Sequence, residues 1–152
     1  IMCSRKTLPL LRTLQKYAVR AGGGLNHRMG LDDAVLIKDN HIALAGSLSA
    51  AIERAQQAAG AWIAVEVEVD TLEQLHVALA AGAKLILLDN MDTQQLRQAV
   101  TLCQGKAHTQ ASGGIDFSRL REVAETGVDS IALGYLTHSS KALDIGLDYL
   151  DA

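Results

Sequence analysis

The stretch VEVEVDTLEQLHVALAAGAKLILLDN, residues 65–90, contains the repeating unit of this chain: a strand, a helix and a second strand. Valine alternates with glutamate at its start, and this alternation predicts a strand over 62–69. Leucine and alanine then recur at helical spacing over 71–81, where Asp70 is a good N-cap and Gly82 a stop signal. The apolar run at 84–88 predicts the next strand, so the stretch indicates a βα repeat.

The same alternation continues on both sides of this stretch. Upstream, the short segment 1–6 is followed by a helix predicted over 10–21, with Pro9 near its start and the glycines 22–24 at its end. Further strands are predicted over 34–38, 107–112 and 129–134, and further helices over 47–59, 93–103 and 117–126, with Ser47, Asp92 and Asp116 as N-caps. The sequence therefore predicts an α/β chain of about six βα units.

A repeat of this kind forms either an open doubly wound sheet or a (β/α) barrel. The pattern GxGxxG of dinucleotide-binding sheets does not follow the first strand, which favours the barrel. A complete barrel takes eight units and about 250 residues, so we expect an incomplete TIM-like barrel and a chain that lacks part of a larger protein. Functional side chains of barrels gather at the carboxyl ends of the strands. The predicted strand ends carry Arg5, Lys6, Lys38, Glu68, Asp89, Ser112 and Gly134.

Composition narrows the class of protein. Of the 152 residues, 49% are hydrophobic, which suffices for one buried core, and the apolar runs are too short to span a bilayer. No charged-then-apolar leader opens the sequence, and we expect a soluble, cytoplasmic protein that binds no membrane. Cys3 and Cys103 fit no metal spacing and predict reduced, packed thiols in a reducing compartment. The net charge of −3 argues against a general nucleic-acid binder.

Charge is distributed unevenly along the chain. Residues 1–38 hold seven arginines and lysines against two aspartates, a net charge of +5, which leaves −8 for the remainder. Arg5, Arg28 and Lys38 could pair with carboxylates or a pyrophosphate, because guanidinium groups bind such anions through two parallel hydrogen bonds. Three further cations on the first helix are interpreted as solvated surface charges: Arg12, Lys16 and Arg20.

Two carboxylates are candidates for a magnesium site. Glu66 and Glu68 share one face of their strand, which could be a solvated face, but a barrel covers both faces and a buried carboxylate then needs a cation. Glu68 lies nearer the strand end and is the better candidate. Asp89 could cap a helix, but Asp92 lies closer to the helix start and leaves Asp89 available for a ligand. Glu68 and Asp89 are therefore predicted to hold Mg²⁺.

Glycine turns follow two consecutive predicted strands. Ser112 and Gly113 belong to ASGGI, and Gly134 belongs to LGYLTHS; both could be ordinary turns, but a barrel binds phosphate at this place. His27 and His41, in the glycine-rich stretch 22–41, could be core or metal residues, although their spacing does not fit zinc. Together these features predict a site for a multiply anionic substrate.

Six sequence motifs carry a resemblance that extends in order over nearly the whole chain. They are SRKTLP, GGGLNHRMGLDDAVLIKDNHI, EVEVDTLEQL, LLDNM, SGGI and ETGVDSIALGYLTHSSKALDIGLD. They resemble the nicotinate-nucleotide pyrophosphorylase family, that is, quinolinate phosphoribosyltransferase (decarboxylating), in its C-terminal barrel. The resemblance implies transfer of phosphoribose from phosphoribosyl pyrophosphate to quinolinate, with loss of CO₂ and with Mg²⁺, in NAD synthesis. It also implies a homodimer whose site borrows an arginine from the partner's N-terminal α/β sandwich domain. That domain is expected to be missing from 1–152, which would be one barrel domain.

The resemblance also implies roles for individual residues. Lys6, Lys38, Glu68 and Asp89 would be catalytic. The quinolinate carboxylates would be bound by Arg5, His27, Arg28 and Lys38. Phosphoribosyl pyrophosphate and its Mg²⁺ would be bound by Lys6, Glu68 and Asp89, the acids partly through water. The 5′-phosphate would be bound by Ser112, Gly113, Gly134 and His138.

The chain departs from the family pattern at four positions. Ser4 replaces a usual threonine, Leu10 and Tyr135 replace small residues, and Gln110 replaces a glutamate before the SGG turn. Two other functions stay open: the related molybdenum-operon protein, which we expect to lack Lys38, and a non-catalytic barrel fragment that acts in assembly.

Overall fold

The computed structural model describes residues 1–149. Helices and strands alternate along this part of the chain. The strands are β1 (Val35–Ile37), β2 (Val65–Val69), β3 (Leu85–Asp89), β4 (His108–Ser112) and β5 (Ser130–Ile131). The helices are α1 (Arg12–Ala21), α2 (Asp39–Ala45), α3 (Leu48–Ala59), α4 (Leu72–Ala80), α5 (Thr93–Cys103), α6 (Leu120–Ala124) and α7 (Tyr135–His138).

The five strands form one parallel sheet in the order β1-β2-β3-β4-β5. The order equals the chain order, as in a barrel and unlike a doubly wound sheet, where the order reverses. Met2 adds a sixth position: its backbone bridges Ala132, after β5, and Leu25, after α1. The predicted α/β fold, an incomplete barrel of about six βα units, is confirmed.

The core lies between the sheet and the helices. Outward-facing strand residues such as Val67, Ile86 and Leu88 are fully buried against helix residues such as Ile52 and Leu75. The inner face of the curved sheet carries polar side chains together with leucines, because successive strand residues face opposite sides of the sheet. Its side chains at the carboxyl edge include Lys38, Glu68, Asp89, Gln110 and Ser112.

Helix starts follow local hydrogen bonds, and two predicted N-caps were wrong. Ser47 and Asp92 cap α3 and α5 as predicted. Thr71 caps α4 in place of Asp70, because its hydroxyl accepts from the Gln74 N–H. Asp116 accepts from the N–H groups of Ser118 and Arg119, which makes a turn and delays the start of α6 to Leu120.

Four of the five predicted strands are shorter in the structure, and the strand predicted over 84–88 is shifted by one residue to 85–89. Two short helices, α2 and α7, were not predicted. The strand predicted over 129–134 is reduced to two residues because the chain then changes partner. Ala132 N–H bonds to Ala111 at 2.8 Å, and Leu133 N–H bonds to the Met2 carbonyl at 2.9 Å. Cys3 and Cys103 are buried free thiols, as predicted. Within 1–149, no helix is long and apolar enough to cross a membrane.

Candidate functional site

Two adjoining cavities open at the carboxyl edge of the sheet. The first, called the acid–base cavity, has a volume of about 220 Å³, and the second, called the glycine cavity, about 250 Å³. Every site residue predicted from the sequence lines one of them. The acid–base cavity is lined by Arg5, Lys6, His27, Arg28, Lys38, Glu68, Asp89 and Ser112. The glycine cavity is lined by Lys6, Ser112, Gly113, Gly134 and His138.

Two guanidinium groups at the acid–base cavity have N–H donors without a hydrogen-bond acceptor in the described part of the chain. The Nε atoms of Arg5 and Arg28 are buried and have no hydrogen-bond partner among residues 1–149. One Arg28 terminal nitrogen donates to the carbonyl of Ala34 at 2.9 Å. Burial lowers the pKa of Arg28, and the charge of Arg5 lowers it further. Two partly buried, mutually repelling cations with buried free Nε donors have the chemistry that suits an anion with several oxygens.

His27 is held at both ring nitrogens. Its Nδ1 accepts from the Arg28 backbone N–H at 2.8 Å, and its Nε2 lies 2.7 Å from a Glu66 oxygen. Because Nδ1 is the acceptor, Nε2 carries the proton and donates to Glu66; this tautomer is assigned from the hydrogen-bond network. The alternative of a solvated Glu66 is wrong, since the residue is 8% exposed and paired inside the barrel. His41 accepts from the Lys38 N–H at 2.9 Å and caps α2.

The acids of the cavity are held by neighbours. Lys38 and Glu68 form an ion pair across β1 and β2. Burial raises the pKa of Glu68; Lys38 opposes this shift, and Asp89 adds to it. Asn90 donates to Asp89 at 2.7 Å from a left-handed backbone conformation.

Glu68 and Asp89 suit Mg²⁺ by their chemistry, because Mg²⁺ takes oxygen ligands and often binds through one or two carboxylates plus substrate phosphates. No cluster of three or more His, Cys, Asp and Glu side chains that could hold a metal occurs in the described part of the chain. The remaining ligands would therefore be water and substrate oxygens.

The glycine cavity is built by backbone at the ends of β4 and β5. Gly113 has φ +91°, and a Cβ atom there would lie 2.6 Å from the Asn90 backbone nitrogen, so the turn requires glycine. A Cβ atom at Gly134 would lie 3.0 Å from Nε2 of His138. The absence of side chains at both positions leaves the space that Lys6 and His138 border.

One residue that organises the site was missed. Lys16 was interpreted as a solvated surface charge, and this was wrong: it is 2% exposed. Its ammonium donates to the carbonyls of His27 at 2.6 Å and Arg28 at 2.9 Å. Arg12 is also partly buried, with Nε donating to Thr7 at 3.0 Å. A lysine on an amphipathic helix carries no local signal that separates these cases from the exposed Arg20.

Comparison with known proteins decides the family. Residues 1–148 match the family described as quinolinate phosphoribosyl transferase, C-terminal domain. The chain belongs to that family. It is 53% identical over 148 residues to the nicotinate-nucleotide pyrophosphorylase [carboxylating] of Mycobacterium leprae, covering 95% of this chain and 52% of the relative. It is 52% identical over 145 residues to the probable enzyme of that name in Bacillus subtilis, covering 95% and 50%.

A solved structure shows the same fold. The nicotinate-nucleotide pyrophosphorylase of Ehrlichia chaffeensis superposes with a TM-score of 0.92 at 41% identity, over 97% of this chain and 53% of that one. The chain thus spans about half the length of these relatives. This confirms the resemblance to the quinolinate phosphoribosyltransferase family that the sequence motifs indicated.

Three departures from the family pattern have visible consequences. Leu10 adopts φ +64°, a conformation that favours glycine, and its side chain is fully exposed. Gln110 is 4% exposed; its Nε2 donates to the Ser130 hydroxyl at 3.3 Å, and its Oε1 has no partner among residues 1–149. Tyr135 packs edge-on against Phe117, with ring centroids 5.3 Å apart, and forms one wall of the glycine cavity.

Proposed function

We propose that this chain forms the catalytic barrel of a quinolinate phosphoribosyltransferase. The reaction joins quinolinate to phosphoribosyl pyrophosphate and yields nicotinate mononucleotide, pyrophosphate and CO₂, a step of NAD synthesis. Family membership supports this reaction, because relatives that share about half their length with the chain carry names that describe it. The observation that carries the proposal is the pair of buried Nε atoms on Arg5 and Arg28 without protein partners.

Quinolinate is a planar dianion and suits the acid–base cavity. Each of its two carboxylates can accept two parallel hydrogen bonds from a guanidinium group, which would satisfy the free donors of Arg5 and Arg28. Lys38 adds a third cation at the end of β1. In its present tautomer His27 has no free N–H to offer, so its part in binding quinolinate would be to hold Arg28 in place.

Phosphoribosyl pyrophosphate would extend into the glycine cavity. Backbone N–H groups at Ser112, Gly113 and Gly134 can approach the 5′-phosphate closely, and Lys6 and His138 border the same space. Glu68 and Asp89 would hold Mg²⁺ and the ribose hydroxyls. When bound, Mg²⁺ would neutralise charge on the departing pyrophosphate.

The chemistry then needs positioning and charge more than a nucleophilic side chain. The quinolinate nitrogen attacks C1 of the ribose as the C1–oxygen bond to pyrophosphate breaks, and the ribose gains positive charge that Glu68 and Asp89 stabilise. The ring nitrogen is now a cation. The bond to the adjacent carboxylate breaks, CO₂ leaves, and the electron pair on the ring carbon is stabilised by that cation until a proton replaces it.

Assembly and location complete the proposal. We propose a homo-oligomer in which a partner subunit's N-terminal domain adds an arginine to the acid–base cavity. Numerous exposed apolar side chains on α1 and over 143–149 support association with further protein. The two free, buried thiols are compatible with a reducing, cytoplasmic location.

The test is a direct assay of the full-length protein that carries this sequence. Purified protein is given quinolinate labelled in the carboxyl group next to the ring nitrogen, phosphoribosyl pyrophosphate and Mg²⁺, and both nicotinate mononucleotide and labelled CO₂ are measured. Equal amounts of both products are expected. Nicotinate in place of quinolinate is the control, because it can yield no CO₂ by this route. Absence of both products with quinolinate, in a folded protein, would refute the proposal.

A further inference from the structure

The strongest anomaly outside the assigned site is the buried ammonium of Lys16. Lysine is almost never fully buried unless it is paired, yet no carboxylate of residues 1–149 forms an ion pair with Lys16. Its partners are neutral: the carbonyls of His27 and Arg28, and the Cys3 sulfur at 3.4 Å. Burial without a carboxylate is unfavourable for folding, which raises the question of what this charge does.

The segment that Lys16 holds has little backbone support of its own. Within the described chain, no backbone–backbone hydrogen bond ties residues 26–34 to another element. Side chains replace these bonds. Lys16 donates to the carbonyls of His27 and Arg28. The His27 ring accepts from the Arg28 N–H and is held on its other side by Glu66. The backbone on both sides of Arg28 is therefore held by side chains from α1, β2 and the segment itself. Further along the segment, Arg12 donates to the Met29 carbonyl, and Asp33 accepts from the N–H groups of Met29 and Gly30.

We infer that Lys16 is a positioning residue for Arg28. The buried ammonium fixes the His27–Arg28 peptide so that the Arg28 guanidinium meets a carboxylate of quinolinate. This role rests on the proposed function. Lys16 itself does not line the acid–base cavity. Its removal should therefore affect quinolinate, which Arg28 binds, and spare phosphoribosyl pyrophosphate, which other residues bind.

The experiment compares Lys16→Met with Arg20→Met in the full-length protein. Methionine keeps the length of the side chain but cannot donate, and Arg20 is an exposed cation on the same helix. Hydrogen–deuterium exchange is measured for a peptide that covers 24–34, together with the dissociation constants of quinolinate and phosphoribosyl pyrophosphate. In Lys16→Met we expect exchange of this peptide to rise about tenfold and quinolinate affinity to fall about tenfold or more, as loss of charge-assisted hydrogen bonds implies.

The affinity for phosphoribosyl pyrophosphate should change less than about twofold in that variant, and Arg20→Met should resemble the wild type in every measurement. Unchanged exchange over 24–34 in Lys16→Met would overturn the inference. So would a parallel loss of both affinities, since that is the result of general destabilisation. If Lys16→Met does not fold, Lys16→Gln, which keeps a neutral donor on a shorter side chain, is taken through the same measurements and judged by the same outcomes.

Exchange and binding separate the two proposals. If the wild-type protein does not bind quinolinate, the proposed function fails, but the exchange of 24–34 still decides whether Lys16 holds the segment. If the wild type binds quinolinate and exchange is unchanged in the variant, only the positioning role fails.

Discussion

The charged residues of the acid–base cavity fall into two kinds: those that form an ion pair or hydrogen bond within the protein, and those with donors that have no partner. Lys38 is paired with Glu68, and His27 with Glu66, whereas Arg5 and Arg28 keep unsatisfied buried donors. Unsatisfied buried donors are costly to the folded protein, and this cost is recovered when a ligand supplies the acceptors. The residues expected to matter most for binding are thus those with the fewest internal contacts.

Arg28→Ala should lower quinolinate affinity by at least about a hundredfold, because a charge-assisted hydrogen bond contributes about 1.5–3 kcal/mol and a bidentate pair has two. The melting temperature should change little, since the guanidinium makes one carbonyl contact, to Ala34. Calorimetric titration with quinolinate and thermal melting measure both. Arg97→Ala, an exposed arginine on α5, is the control. Wild-type affinity in Arg28→Ala would remove Arg28 from the site.

Asp89→Asn should weaken phosphoribosyl pyrophosphate binding in the presence of Mg²⁺ and have a much smaller effect without it. The substitution removes a charge that would act on the metal complex while keeping the size of the side chain. Binding is measured with and without Mg²⁺ at equal ionic strength. A penalty that is the same in both conditions would show that Asp89 contacts the sugar or serves the fold only.

Glu68→Gln should raise the melting temperature at neutral pH. The pKa of Glu68 is raised in the folded protein, chiefly by burial, so its proton stabilises the fold at low pH and this contribution is lost as pH rises through the folded pKa. The ionised side chain is therefore a cost at pH 7 that glutamine lacks. Melting curves from pH 7 to about pH 4 should show the gain shrinking towards the ordinary range of glutamate titration. A gain independent of pH would contradict this explanation.

At the level of elements, turns after the strands set the shape of the glycine cavity. The end of β4 is joined to the end of β3 by the Asn90 N–H, which donates to the Ser112 carbonyl at 3.0 Å. Gly113 then passes so close to Asn90 that no side chain fits between them. The turn at Gly113 and Asn90, whose side chain donates to Asp89, are therefore parts of one contact.

Gly113→Ala should destabilise the protein more than Gly114→Ala and also weaken phosphoribosyl pyrophosphate binding. Both glycines have positive φ, +91° and +57°, which costs alanine about 1–2 kcal/mol in the left-handed region. Only at Gly113 does the new Cβ meet other atoms, with Asn90 Cγ at 2.6 Å, whereas Gly114 faces open space. Urea unfolding of both variants measures the difference. Equal losses would mean that backbone conformation alone accounts for the effect.

On the scale of the whole molecule, the described chain presents an open site. The acid–base cavity lies at the edge of a five-stranded sheet that Met2 extends beyond β5, and no strand pairing within 1–149 joins this side of the sheet to β1. The chain spans about half the length of its relatives. In an open cavity an ion pair is weakened by water, so further protein around the site would strengthen each contact.

The chain of 152 residues, expressed alone, should bind quinolinate at least about tenfold more weakly than the full-length protein, because one charge-assisted contact from a partner domain would be absent. Calorimetry on both proteins gives the ratio. A variant of the full-length protein that removes the proposed partner arginine should match the isolated chain. Equal affinity of the isolated chain and the full-length protein would contradict the shared site.

The sequence alone predicted the βα repeat, the incomplete barrel and the gathering of polar side chains at the carboxyl ends of the strands. These follow from local signals: the Val–Glu alternation over 65–69, the cap at Asp92, and the rule that parallel strands bring their carboxyl ends to one edge. The tertiary structure alone decided the burial of Lys16 and the two hydrogen bonds that occupy the His27 ring, one with Glu66 and one with the Arg28 N–H. Each joins residues whose meeting depends on how α1, β2 and the segment between them pack. Side-chain type and spacing show which groups a chain carries, but whether a charge meets water, a carbonyl or a carboxylate depends on neighbours that only folding supplies.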